Sequence, residues 1–540
     1  MNGKRRSANR PISPMLKFKS FLPGISAASL ILIVLSSALI AIWRFALQSG
    51  NVTIYLDSYV LHIVWITFYQ AILSTILSLL SAILMAKALS LIDFKGKQLL
   101  IKMMPMTFIL PALVVVTGLL SVYGQQGLLA YVCQLLHIPF PFHIYGLQGI
   151  LLAHIFLNFP YACALFYKTL NSVPVEQKQL AAQLNFSTFT YFKLLEWPLL
   201  RRQILPMAAL IFMLCFSSFA IVLALGGGPK YTTLEVAIYQ AVRDFDLLQA
   251  ALLACLQLVC CVTFIGLMQK INKTQSTLSV KFSHANYRLP TVNWLKVISV
   301  IIIVIGELFI LLPLFCILFQ GIYFFRISLL TSMLQQALLS SIIIATGSAM
   351  IAMLLGLLLL WTNSRLLINR QRQLSNRLML IASLILAIPS MVLASGLFLL
   401  LFGYSNNTVF ICLLIMLCNG LMALPFILKN LAMPMYDITA RYWQLSQSLN
   451  INGLMHFYLV DFKGLKSLML MSFAFAAILS LGDFGVIALF GGQSVITLPY
   501  YLYQQISHYH YQESVVTAAI LLLLSFSLLV VMDYDRTSKN

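Results

Sequence analysis

The stretch QLAAQLNFSTFTYFKLLEWPLL (179–200) returns 265 residues later as QLSQSLNINGLMHFYLVDFKGL (444–465). Gln179 falls on Gln444, Leu180 on Leu445, Leu184 on Leu449, Asn185 on Asn450, Phe192 on Phe457, and Glu196 on Asp461. The register holds downstream, where SSFAIVLALGG (217–227) lies on GDFGVIALFGG (482–492). It slips by one at TTLEVAIYQ (232–240) over ITLPYYLYQ (496–504). Upstream, Pro160 falls on Pro425 at the same offset, while PALVVVTG (111–118) falls on PSMVLASG (389–396) at 278. A long period of this kind is the first thing a fold must explain. The change of offset places about thirteen extra residues of the first copy in 124–146, where a short amphipathic helix is expected.

The medium of the fold follows from composition. Of 540 residues, 61% are apolar and only 9% are Asp, Glu, Lys or Arg. The mean hydropathy is +0.94. A soluble domain is about 45–50% apolar and about 25% charged. These values exclude a soluble enzyme, a disordered tail and a disulfide-stapled secreted domain. A spanning helix needs about 20 mostly apolar residues. Twelve such runs are read, at 22–43, 63–86, 104–123, 146–167, 204–226, 247–269, 297–320, 336–361, 378–402, 408–428, 467–490 and 514–533.

The charge is +20, from 34 Lys+Arg against 14 Asp+Glu. With an inside N-terminus, 30 of the 34 basic residues fall on inside segments and 4 outside. Cytoplasmic loops collect Lys and Arg, so the excess reads as topology with both termini cytoplasmic. Nucleic-acid binding gains no support. The first apolar run is long for a signal peptide's apolar core, which favours an anchored first helix. Eight of nine cysteines (all but Cys133) lie within spans, where they act as small apolar packing residues, and no Cys/His spacing marks a metal site.

Six spans separate the two copies, so they run in parallel, related by an axis along the membrane normal. The expected fold is therefore an all-α polytopic membrane protein. Its parts are a tail (1–21), a first half (22–269), a polar cytoplasmic linker (270–296), a second half (297–533) and a tail (534–540). Within the halves, the repeated loops lie at about 173–200 and 436–465.

Loops usually vary, so a repeated loop hints at a repeated task. In 173–195, Val175, Leu180, Leu184 and the small Ala181 and Ala182 share a broad helical face. Asn185 and Asn450 stand where that helix breaks, in a left-handed conformation that Asn tolerates. A second short helix follows, carrying Phe189 and Phe192 or Leu454 and Phe457. Such a pair, with small residues permitting close approach, suits docking into a groove of another protein; packing on span ends is the plainer use.

These loops resemble the EAA loop of ABC-transporter permeases, a coupling helix that sits in a cleft of the ATPase subunit. Gln179, Leu180, Ala181 and Asn185 take the Glu, Ala, Ala and Gly places, with Ala182 beside them; Gln444, Leu445, Ser446 and Asn450 do so in the second copy. Trp197-Pro198 keeps the motif's apolar–Pro ending; Phe462-Lys463 keeps only its apolar part. YGLQGILLAH (145–154), YDITARYWQLSQSL (436–449) and LGDFGVIALFGG (481–492) with LPYYLYQQI (498–506) extend the likeness to the fused thiamine permeases of Gram-negative bacteria, over about 20–530. That resemblance implies two tandem MetI-like six-helix halves in a bacterial inner membrane. It also implies a separate homodimeric ABC ATPase and a periplasmic substrate-binding protein. A related fused group carries ferric iron.

No G-x-x-x-x-G-K-[ST] phosphate loop, H-E-x-x-H, G-x-S-x-G or Cys-x-x-Cys is present. Gly226-Gly227-Gly228 and Gly491-Gly492 read as tight turns. The chain is thus expected to be no enzyme, with no catalytic residues, metal or cofactor of its own; ATP and Mg belong to the partner. Charges within spans are costly and often functional. Asp483 is the leading candidate, opposite Ser218 in the first copy; it serves either a cationic cargo on the pathway or as a pin between helices. Glu307, on a seventh span expected to be peripheral, reads as structural. His508 and His510 read as an interfacial loop. An ion-coupled secondary transporter would want more midplane acids, and a membrane enzyme would want paired carboxylates or a His/Asp cluster.

Overall fold

The computed structural model describes residues 14–47, 57–140, 142–272, 293–326, 329, 331–401, 407–451, 453–491 and 495–537. Most of the expected linker, Gly492 and both chain ends lie outside the described residues. The first half runs through α1 (Pro14–Leu47), α2 (Ser58–Leu91), α3 (Ala112–Tyr123), α4 (Leu147–Asn171), α5 (Val175–Gln183), α6 (Trp197–Phe216), α7 (Ala220–Leu225), α8 (Leu234–Arg243) and α9 (Leu247–Asn272). The second runs through α10 (Asn293–Phe324), α11 (Ser332–Ile368), α12 (Ser390–Leu401), α13 (Thr408–Ser448), α14 (Lys463–Leu481), α15 (Gly485–Phe490), α16 (Leu498–Ser507) and α17 (Tyr511–Thr537). The described residues contain no strand.

Eleven helical runs among the described residues are long and apolar enough to cross a membrane. The ninth expected span, 378–402, is not one of them: its apolar helix is only Ser390–Leu401. A separate amphipathic helix, Arg372–Ser383, precedes it. Proline causes the division. The residue before a proline is pushed to extended backbone, and Ile388, before Pro389, has ψ 118. The first half breaks at the matching place, where Leu110, before Pro111, has ψ 140. The extra residues of the first half contain a short helix, Leu128–Leu135.

The fifth span of each half is also interrupted, between α6 and α7 at Ser217 and between α14 and α15 at Gly482. The expected runs 204–226 and 467–490 therefore hold two helices each. Gly227 (φ 69) and Gly228 (φ 115) make the tight turn that follows α7.

The opening helix of each half packs on the other half. α1 lies against α11 and α12, and α10 lies against α2 and α3. Two matched glycines make room. A Cβ at Gly396 would fall 2.6 Å from the Ala38 carbonyl oxygen on α1, and one at Gly118 would fall 2.9 Å from Ile317 on α10. Small residues are what let helix backbones approach in lipid. α10 was expected at the periphery. Its outer face indeed exposes Ile305, Leu308 and Phe315, but its inner face is bound across the halves, with Phe309 against Phe156 at 5.7 Å. Glu307 lies on this helix with Oε1 buried.

Candidate functional site

Two regions collect the singled-out residues. The first is the repeated loop. α5 ends in a left-handed cap: Asn185 has φ 51 and its N–H donates to the Ala182 carbonyl at 3.0 Å, while Phe186 N–H donates to that of Ala181 at 3.0 Å. The second copy does the same, with Asn450 at φ 53 and Ile451 N–H donating to Ser446 at 2.8 Å. Asn meets this conformation at low cost. The next helix of the first copy is one turn, Thr188–Tyr191, capped by Ser187 accepting from Thr190 N–H at 3.2 Å. It runs through a wider π turn, Phe192–Glu196, straight into α6. Gly453–His456 and Phe457–Phe462 repeat this ahead of α14.

The faces differ from expectation. Ala181 and Ser446 point inward, 2% and 3% exposed. They seat the helix on the protein's own body and offer nothing to a partner. Leu180, Leu184 and Phe189 point outward at 55%, 58% and 73% exposed, and Leu445, Leu449 and Leu454 at 55%, 61% and 80%. Gln179, Asn185, Gln444 and Asn450 are exposed, and Ala182 is half-buried. Periodicity alone had put the leucines and alanines together, because it cannot tell which edge of a short helix the body covers.

Each loop carries a buried acid, which in the first copy ties it directly to the end of the second span. Lys87 Nζ on α2 donates to Glu196 Oε2 at 2.5 Å. In the second copy Asp461 accepts from Thr439 at 2.9 Å, lies 3.2 Å from His456 Nδ1 and is within Coulomb reach of Arg365 on α11. Arg365 is buried, stacked on Trp361 at 4.0 Å. Lys87 and Arg365 are 278 apart, the offset already visible upstream, so the basic pair could have been found in the sequence from that register. Beside the second loop opens a groove of about 630 Å³, lined by Asp437, Ile438, Arg441, Tyr442 and Lys463 among others. The matching positions of the first half, Ser172, Val173, Glu176, Gln177 and Pro198, lack its cations.

The second region lies where the halves meet. Phe219 and Phe484 stack on each other, with centroids 5.4 Å apart and planes 17° from parallel. They are 265 apart and so are symmetry mates. A residue that touches its own mate sits on the pseudo-two-fold axis. Tyr239 stands edge-on to Phe219 at 5.2 Å, and its mate Tyr503 lies 4.9 Å from Phe484. The sequence matched these residues without singling them out; their distinction lies in tertiary contact.

Of the two polar candidates flanking this stack, Ser218 is buried at 9%. Asp483 is half-buried, and its Oδ2 accepts the Val486 N–H at 3.2 Å. The amides of Gly485 and Ile487 and the Asn419 side chain also serve its carboxylate. It thus caps α15 in the manner of an N-cap acid. Asn419 in turn donates to Ser480, which donates to Ser348, linking α13, α14 and α11.

Glu235, on the short helix α8, was not singled out. It is fully buried, accepts from Gln257 Nε2 at 2.9 Å on Oε1, and its Oε2 has no partner among the described residues. Burial pushes its carboxyl up to about 8. In both halves the leucine opening this segment is held by the second span: Leu234 N–H donates to Thr67 Oγ1 at 3.0 Å, and Leu498 N–H to Ser341 Oγ at 2.7 Å. His508 and His510 are exposed, with His510 Nδ1 3.4 Å from Glu513.

Two crossed helical halves, an aromatic contact on the axis and paired exposed loops describe the membrane component of a solute transport system. In agreement, the family model for the inner membrane component of binding-protein-dependent transport systems matches residues 98–276. Over nearly the whole chain, relatives with one name recur. The thiamine transport system permease protein ThiP of Escherichia coli (strain K12) is 45% identical, covering 95% of this chain and 96% of that protein. That of Haemophilus influenzae is 40% identical, with 95% of each covered, and that of Brucella abortus (strain 2308) is 34% identical, with 93% of each. The chain belongs to the family of thiamine transport system permeases, and it is a multi-pass inner-membrane protein and a non-catalytic transport subunit.

Proposed function

We propose that this chain is the membrane-spanning subunit of an ATP-driven, binding-protein-dependent importer that carries thiamine and its phosphate esters from the periplasm to the cytoplasm. Both termini and both repeated loops lie on the cytoplasmic side, as the split of basic residues supports. A homodimeric ABC ATPase grips the two loops, and ATP and Mg are used there; the permease itself holds no cofactor. A loaded periplasmic binding protein docks on the opposite face. Closure of the ATPase dimer moves the loops, the loops move the spans, and the axial contact opens.

One observation carries the reading. A left-handed helix end and the one-turn helix after it present three large apolar side chains at matching positions in each copy: Leu180, Leu184 and Phe189, and Leu445, Leu449 and Leu454. Two equal surfaces suit two equal partner subunits. Large apolar groups held outward at a loop need a covering surface. Gln179, Ala181, Ala182, Asn185, Gln444, Ser446 and Asn450 shape and seat those helices. Thiamine as cargo rests on the family, and the axial aromatics suit an organic cation better than a hydrated metal ion.

The reading is tested in proteoliposomes holding the whole complex. Leu180→Asp with Leu184→Asp, or the matching pair at Leu445 and Leu449, should lower ATP-driven thiamine uptake at least about tenfold while the protein still inserts. Unchanged uptake after either change would reject the coupling role. Thiamine accumulation by the isolated chain in ATP-free vesicles would favour ion coupling instead.

A further inference from the structure

The stacked rings on the axis do more than fill a core. In a pair of parallel repeats, the one route lined equally by both halves runs along their symmetry axis. Phe219 and Phe484 close that route in this structure, 5% and 2% exposed. Each ring follows directly on a helix break, at Ser217 and at Gly482. The rings can therefore part by a turn of local backbone, with no continuous helix to shear. Tyr239 and Tyr503 stand behind them at 5.2 Å and 4.9 Å. Parting would leave four aromatic side chains around one opening, arranged in two matched pairs. One charged side chain meets this group: the Arg243 guanidinium lies 5.8 Å from the centre of the Tyr239 ring, so the rings that offer a face to a cargo cation are Phe219, Phe484 and Tyr503. Asp483 lies next to Phe484, but its carboxylate is taken up by the N-terminus of α15 and by Asn419.

We propose that Phe219, Phe484, Tyr239 and Tyr503 form a selective aromatic constriction that passes a ring-bearing organic cation by cation–π contact and refuses small hydrated ions. The inference rests on the thiamine reading and names the residues that read that cargo's charge. An apolar constriction too narrow for water is a barrier to hydrated ions. A soft organic cation exchanges its weak hydration for ring faces, and aromatic side chains are the recurrent binders of such groups. A neutral ring of the same shape gains no such attraction. The constriction therefore favours the thiazolium-type cation over its neutral isostere by charge as well as by size.

The test replaces Phe484, and separately Phe219, by phenylalanines of increasing fluorine content. These are nearly isosteric, so folding is retained, while the negative ring face weakens stepwise. A series at Phe156, a buried ring off the axis, is the control. In the full complex, uptake of thiamine is measured beside that of a neutral thiophene isostere. The expected result is a graded fall in thiamine uptake, about fivefold at the most fluorinated ring, with the isostere unaffected and the Phe156 series flat. Equal effects on both solutes, or none on either, would overturn the inference and leave a plain steric contact. If the parental complex takes up no thiamine, the cargo reading fails and this inference falls with it. Normal parental uptake with a flat Phe484 series rejects the inference alone.

Discussion

At the residue scale, the best-read positions are those whose role is set by their own backbone. Asn185 and Asn450 could be placed in the left-handed region from sequence because few residue types tolerate it and both end the same pattern. Glu235 could not be found that way. It becomes notable only because α8 and α9 enclose it, and enclosure is a property of the packed chain. Its chemistry makes a pH prediction. The folded carboxyl titrates at about 8 against 4.5 for the exposed group. The native state thus holds this proton more tightly than the unfolded state. The associated stability is full below about pH 4.5, declines as pH rises towards about 8, and is flat above. Glu235→Gln keeps the hydrogen bond to Gln257 without the titration. The parent's melting temperature, measured in detergent from pH 5 to 8, should fall relative to the variant's. Parallel profiles would show that Glu235 is not protonated in the fold.

At the scale of elements, the breaks were partly legible. Pro111 and Pro389 were on view, yet apolar content alone ran the ninth span straight through Pro389. The competing constraint is backbone: proline restricts the residue before it whatever the hydropathy. The ion pair that ties the first loop to its second span was hidden for another reason. Glu196 is matched by Asp461 in sequence, but Lys87 lies 109 residues from Glu196. The pair is mostly shielded, with 19% and 5% side-chain exposure. Removing one partner strands a buried charge. Lys87→Met should lower stability by roughly 1–3 kcal/mol, discounted for the exposed end of the lysine, and should weaken coupling of ATP hydrolysis to uptake. Lys87→Arg should retain both, since the second half uses Arg365 at that place. Thermal unfolding and the ratio of uptake to hydrolysis would check it. A Lys87→Met protein as stable and as well coupled as the parent would show the pair to be ornamental.

At the scale of the whole molecule, the duplication and the medium were plain in the sequence, because both are summed over hundreds of residues. The crossing of α1 and α10 was not, since nothing in a helix's own pattern says which half it will lie on. The consequence is that each half lacks one wall without the other. Separate chains 1–282 and 283–540, cut within the polar linker, should assemble when co-expressed and restore uptake, whereas either alone should be degraded or aggregate. Recovery of a stable, monodisperse single half would contradict the crossed packing.

The two loops are alike at their tips but not in how they are mounted. The fourth span of the first half, α4, stops at Asn171 and reaches α5 through Ser172–Pro174. In the second half, span and loop helix are one unbroken helix, α13, of 41 residues. At 1.5 Å per residue that is ~60 Å of continuous helix, with Pro425 and Pro434 inside it. It runs from the tip past Pro425 to the Asn419 cluster that braces Asp483. A push on the second tip is therefore carried into the bilayer along continuous helix, yielding only at Pro434 and Pro425, while an equal push on the first also meets a non-helical joint. Identical motors beneath such mountings would deliver unequal strokes, and the second half would lead the opening.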